Sequence, residues 1–173
     1  ITIDHTKVDA DLTDFPITIH LPSDSDLASK ARSDGGDICF ALASVSWDTG
    51  DTSDLLAHEI EKYDNTTGEL VVHIKIPSLS STTDTEIYMY YGNSNVGGTQ
   101  RVTNVWSNNF AAVWHLSETG TEERRDSSPN NNSGTPNGVT ATTAGKIDGA
   151  DDFDGSNDYI AVSYTHLTLP TKA

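Results

Sequence analysis

The chain is predicted to be all-β, a β-sandwich module followed by a second, incomplete sandwich, and three observations predict it. From His58 to Asn93 it reads HEIEKYDNTTGELVVHIKIPSLSSTTDTEIYMYYGN, three strand-like runs separated by turn chemistry. Within that stretch Leu70, Val72, Ile74 and Ile76 alternate with Glu69, Val71, His73 and Lys75, the period of a strand with one buried face. Finally, an apolar content of 35% over 173 residues is low for a globular protein but sufficient for thin sandwich cores with polar outer faces. That length allows one large domain or two small ones.

Element by element, Ile1–Ile3 and Phe15–Leu21 read as strands, with Ile17, Ile19 and Leu21 on one face. Pro16 suits an edge position or a strand end. Ser25 is expected to cap a short helix from Asp26 to about Ala31, which Asp34-Gly35-Gly36 stops. Strand Ile38–Leu42 follows, then a polar loop, Ser46–Asp54, carrying Trp47. Leu55–Tyr63 and Glu69–Ile76 form a hairpin across Asp64–Gly68, and Pro77 with the Ser/Thr run ends it. Glu86–Tyr91 is the next strand. Gly92–Thr103 reads as a linker or long connection, and Val102–Asn108 as a helical turn carrying Trp106. Ala111–Leu116 reads as a strand and Ser117–Gly145 as a long polar loop. Lys146–Phe153 and Asp158–Val162 read as short strands joined at Asp154–Asn157. A domain boundary is expected near Gly97–Asn108, which sets the first module at 1–104 and the second stretch at 105–161.

The balance is acidic, 26 Asp and Glu against 10 Lys and Arg, a formal charge of −16. Such a field repels phosphate backbones and anionic lipid, so nucleic acid and membrane surfaces are poor partners. Acidity serves solubility, and its sharper reading is Ca²⁺ binding through converging surface oxygens. Cys39 is the only cysteine, which excludes an internal disulfide framework and a cysteine zinc site. In the apolar run Ile38-Cys39-Phe40 it reads as a buried structural thiol. No run is long enough to span a bilayer, and no signal peptide is present. The chain opens in what looks like mid-strand, so a true N-terminus is expected upstream.

These runs resemble domain of unknown function 2341, a family described as occurring in biopolymer transport proteins. DHTKVDADLTDFPITIHLPSDSDLASKARSDGGDICF and the His58–Asn93 stretch carry the resemblance, which covers roughly Ile1 to Trp106. The family's "dFP", "sdGdDI-F", "EIE-yd" and "YYGN" steps recur in order, and Ala41–Asp54 departs by being longer and less regular. VWHLSETG, the Asn- and Ser-rich run Asp126–Gly138 and GKIDGADDFDGSNDYIAV, in that order, resemble the opening of a laminin-G-like or concanavalin A-like domain. That resemblance implies a jelly-roll sandwich, incomplete here because a full one needs more strands, and often glycan or Ca²⁺ binding. Residues 162–173 (VSYTHLTLPTKA) look like translated sequencing adapter and are excluded from the fold argument.

Each candidate site has a functional and a structural reading. Glu59 and Glu61 sit two apart on one strand face, about 7 Å along the chain, a spacing that paired glycosidase carboxylates use. Lys62 stands beside them, and solvated charges on an outer face account for them better. Tyr88 and Tyr90 lie opposite Ile87, Met89 and Tyr91, as a platform for a sugar ring or as a cross-strand aromatic pair. Asp126, Asn130 and Asn132 are ligand candidates, and Asp154, Asn157 and Asp158 are candidates for a Ca²⁺ site, although such residues also build turns. Neither cluster has EF-hand spacing. His5, His20, His58, His73 and His115 show no zinc-ligand spacing. Trp106 and Trp114 are expected to anchor cores. Asn65 and Asn131 open two sequons.

No nucleophile–base pair, metal motif or phosphate loop emerges, so no catalysis is expected. The expected role is an extracytoplasmic (secreted, cell-surface or periplasmic) binding or adhesion module, recognising polysaccharide or a surface protein, with Ca²⁺ assistance. Two alternatives stand beside it: an accessory part of an envelope biopolymer-transport assembly, and the non-catalytic region of a glycoside hydrolase. The first module is expected to fold alone.

Overall fold

The computed structural model describes residues 1–45 and 52–162. Trp47 and most of its loop, and residues 163–173, fall outside the described residues. The protein is all-β, built from antiparallel sheets with two short α-helices among the described residues. It divides into two compact units, the first Ile1–Asn109 and the second beginning at Phe110.

The first unit contains β1 (Thr2–Ile3), β2 (Leu12–Leu21), α1 (Ser25–Lys30), β3 (Cys39–Leu42), β4 (His58–Asp64), β5 (Glu69–Leu79), β6 (Thr85–Tyr90) and α2 (Val102–Val105). Its strands make two three-stranded sheets, ordered β1-β6-β3 and β2-β5-β4. Phe40 and Ile87 from the first sheet meet Leu70, Val72, Ile74 and Ile76 from the second in one core, so the unit is a sandwich. Full burial of such side chains stabilises by roughly 1.5–3 kcal/mol each, which makes this layer the main source of stability. Cys39 is buried on the opposite side of its sheet with Ala41, Leu55 and Tyr90. Burial raises its thiol pKa to about 11, with the Asp37 charge adding to the rise, so the thiol is held protonated.

Three expectations for this unit need correction and a fourth is narrowed. Asp24, not Ser25, caps α1, its carboxylate accepting from the N–H groups of Asp26 and Leu27. Pro77 does not end β5, which runs on to Leu79. Thr13 pairs with Ser78 and Phe15 with Ile76, which leaves Asp14 opposite Pro77, and Asp14 turns out of the ladder at a φ of 51°. The missing proline N–H therefore costs no ladder bond there. Of the two readings of Gly92–Thr103, the structure has the long connection, tied to the first unit, and not a free linker. Asp37, 2% exposed, accepts the N–H of Arg32 at 2.9 Å on one oxygen and those of Gly92 and Asn93 at 2.7 and 3.1 Å on the other. The Gln100 side chain also accepts from Ile60 N–H at 2.8 Å, and Thr99 is buried. The helical turn ends at Val105, before Trp106.

In the second unit, β7 (Gly134–Asn137) and β8 (Thr140–Thr142) lie inside the stretch expected as loop, with β9 (Ala150–Asp152) and β10 (Tyr159–Val162) after it. β9 pairs with β8 and β10 with β7, so the last two strands are not partners across Asp154–Asn157. Ala111–Leu116 is not a strand. Only Trp114 bridges there, to Asp126, because side chains take the backbone groups that a ladder would use. Asp126 accepts from Val113 N–H, and Asn130 and Asn132 donate to the Ala111 carbonyl. Trp114 anchors no core: it is 39% exposed, and its indole N–H donates to the Asn132 carbonyl.

Candidate functional site

Two groups of side chains in the first unit carry chemistry. The first lies on the outer face of β5, where Val71, His73 and Lys75 alternate with the core residues. Register places Thr18 of β2 and Glu59 of β4 beside His73. Ile60 pairs with Val72 and Lys62 with Val71, so Glu61 is the extra residue of a bulge. The bulge keeps Glu61 outside with Lys62 and returns Tyr63 to the inner side, where its hydroxyl donates to the Leu27 carbonyl at 3.1 Å.

His73 is the centre of this group. Its Nε2 lies 2.6 Å from Glu61 Oε2 and its Nδ1 2.9 Å from Thr18 Oγ1. A carboxylate only accepts, so Nε2 carries the proton donated to Glu61. Trp106 lies against the His73 ring, centroids 5.1 Å apart, and its Nε1–H donates to Glu59 Oε2 at 2.5 Å. The expectation of solvated outer-face charges therefore fails: Glu59 is 8% exposed, and the Glu61 and His73 side chains are 7% and 8% exposed. α2 packs on β4 and β5 and brings Trp106 onto both strands, and buried carboxylates are tolerable only with partners of this kind.

The second group lies on the outer face of β6. Ile87 is fully buried while Tyr88 is 52% exposed, as alternation requires. Tyr88 and Tyr90 meet edge-to-face, centroids 6.4 Å apart and planes at 87°. Beside them opens a groove of about 490 Å³, its polar wall made by Ser44, Asp84, Thr85, Glu86 and Tyr88 and its apolar part by Leu42 and Ala43. Asp84 Oδ1 accepts from the backbone N–H of His5 at 3.0 Å and meets its ring Nδ1 at 2.6 Å. These bonds, the backbone one foremost, hold the Asp84 carboxyl below its ordinary pKa. Glu86 is exposed and shares the side of Tyr88. Asp4, His5 and Asp84 bring ligand atoms within 4.8 Å of one another, but Asp4 is already the cap of the His5–Lys7 turn.

The remaining sequence candidates lie in the second unit. Asp126, Asn130 and Asn132 do come together, the Asp126 carboxylate bonded mainly within its own loop and the two amides donating to the Ala111 carbonyl. Asp126 accepts from the N–H groups of Val113, Ser128 and Asn132 and from the Ser128 hydroxyl, all within 2.9 Å. Burial pushes its pKa up, and the bonds from Val113, Ser128 and Asn132 together bring it below the ordinary value. Asp154, Asn157 and Asp158 share one turn, closed by Asp158 accepting from Asp154 N–H and Asp154 from Ser156 N–H. The sequence reading missed Ser44, Asp84 and Glu86 as neighbours of Tyr88, and Thr18 and His73 as neighbours of Glu61. Glu86 was signalled by sharing the parity of Tyr88; Ser44 and Asp84 arrive from turns and carry no such signal.

The matching family, Domain of unknown function (DUF2341), covers residues 34–120, just over half of the chain. The chain belongs to this family. The DUF2341 match starts and ends later than the resemblance read from the sequence. It takes in Asp37, Glu59, Glu61, His73, the groove residues of β6 and Trp106, and enters the second unit as far as Gly120. No curated protein and no solved structure matches the chain. Asp37 gives two motifs of this DUF2341 chain a physical reason. GGDI and YYGN lie more than fifty residues apart, and the Asp37 carboxylate ties one to the backbone of the other.

Proposed function

We propose that this chain is a non-catalytic, extracytoplasmic binding module that takes polysaccharide along the outer face of β6. The observation that carries the reading is Tyr88, a half-exposed aromatic supported edge-on by Tyr90 at the side of a groove lined with hydroxyls and carboxylates. Aromatic faces bind sugar rings, and convergent polar groups set their orientation. The hydroxyl–imidazole–carboxylate row of Thr18, His73 and Glu61 resembles the wiring of a nucleophilic relay. Thr18 is held in a ladder pair with His73, and the buried His73 and Glu61 side chains bond to each other, which favours a structural role. For the second unit the reading is the opening of a laminin-G-like or concanavalin A-like sandwich, supported by its antiparallel pairs β7–β10 and β8–β9. An experimental structure in which β7 and β10 do not pair would overturn that part.

The test of the binding role is affinity across a polysaccharide panel, with millimolar Ca²⁺ and in chelator. Tyr88→Ala should weaken binding at least tenfold, on the order of 1.4 kcal/mol, without moving the melting transition. Failure of the whole panel, or a Tyr88→Ala protein that binds as well as the parent, overturns the reading.

A further inference from the structure

We propose that the groove beside Tyr88 selects polysaccharide carrying free amino groups, a polymer of unacetylated hexosamine, over neutral or anionic chains; this rests on the polysaccharide-binding reading above. The charge of the lining is one-sided: Asp84 and Glu86 contribute carboxylates, and no Lys or Arg is among the described lining residues. Asp84 is fixed by two bonds from His5, both on Oδ1, and needs little ordering to meet a ligand. Glu86 pairs with Thr2 through the backbone of β1 and β6, which fixes its base beside Tyr88. An ammonium group held between such carboxylates makes charge-assisted hydrogen bonds, and the Tyr88 ring attracts the same cation. A uronic acid placed there would set carboxylate against carboxylate. The formal charge of −16 acts in the same sense at long range, drawing in a polycation and repelling a polyanion.

The experiment is calorimetric titration of the full chain at mildly acidic pH. The ligands are a glucosamine hexamer, its N-acetylated counterpart, a glucose hexamer and a galacturonate hexamer. The amino hexamer should bind about tenfold tighter than the neutral ones and the uronate not at all. Raising salt from about 0.05 to about 0.5 M should remove most of that preference, because exposed ion pairs are screened. Glu86→Gln, which keeps a hydrogen-bonding side chain but removes the charge, should lower affinity for the amino hexamer about fivefold, roughly 1 kcal/mol, and for the neutral hexamers by clearly less. Tyr88→Ala should weaken all binding. Equal, Tyr88-dependent affinity for amino and neutral hexamers overturns the charge selection and leaves the polysaccharide reading standing. Absence of all binding overturns both. Binding of the amino hexamer that neither substitution alters means attraction to the acidic surface alone, and overturns the site.

Discussion

Each of the two units of this chain is stabilised internally by a different kind of force. Every described apolar side chain that is buried lies in the first unit, from Leu27 to Trp106. Among the described residues of the second unit the buried groups are polar, Arg124, Asp126, Ser127, Ser128 and the Asp151 side chain, while Trp114, Ile147, Phe153 and Tyr159 are exposed. Arg124 makes a bidentate pair with Asp151, at 2.7 and 2.5 Å, with both side chains fully buried, and its backbone bridges to Gly134. One unit is therefore stabilised by a shared apolar layer, where each contact supports the rest. The other depends on a few directional polar clamps whose desolvation offsets much of what their attraction contributes.

The largest effect that can break this comparison is a cavity in the core. Ile74→Ala should cost the first unit about 4 kcal/mol, whereas Ile160→Ala in the second should cost about 1 kcal/mol, since a side chain only partly buried leaves a smaller cavity. Denaturant titration of each variant checks both values. Comparable losses would mean that the second unit has an apolar core of its own.

Next comes the clamp. Arg124→Met leaves Asp151 buried without its partner, at a cost of about 3 kcal/mol confined to the second unit. Amide exchange at Arg124 and Gly134, whose N–H groups donate to each other's carbonyls, should lose its protection, and the melt of the first unit should not move. The double variant Arg124→Met, Asp151→Leu should recover much of the loss; protection that survives the single substitution would show the clamp to be incidental. A smaller effect tests the motif tie. Asp37→Ala strands three backbone donors and should lower first-unit stability by about 2 kcal/mol, read from the same denaturant curves.

The first unit was legible in sequence because its layer repeats with period two: Leu70, Val72, Ile74 and Ile76 declare the buried face, and Ile87 fixes the parity of Tyr88. The second unit was legible only in part, and the reason is physical. Side-chain clamps such as Asp126 and Asn132 have no period, so Ala111–Leu116 read as a strand although Val113 N–H and the Ala111 carbonyl bond to side chains. The carboxylates of β4 were misread for a related reason. Alternation predicts that Glu59 and Glu61 face outward, and they do, but it cannot show that Trp106 lies over that face. Nor does it show the bulge that keeps Lys62 beside them.

The smallest effect separates the units by acid. His58 is fully buried against Phe40, and burial lowers its pKa below the ordinary 6.5, with weaker opposing help from backbone carbonyls. The unfolded chain therefore binds a proton that the folded first unit refuses. Unfolded binding of more protons means that stability rises with pH, so this contribution is whole above about pH 6.5 and is lost as pH falls toward the folded value. Asp126 carries the same sign in a lower window: its depressed pKa contributes stability above its ordinary 3.8 that goes only as the pH falls through the folded value. The first unit should begin to weaken as the pH falls below about 6.5, where the second is untouched by Asp126. Replacing the imidazole, as in His58→Phe, should flatten that slope in the stability of the first unit while leaving the acid limb below about pH 4 in place. A slope that survives the substitution would move the proton-linked group elsewhere in the first unit and remove His58 as the reason the two units part company in acid.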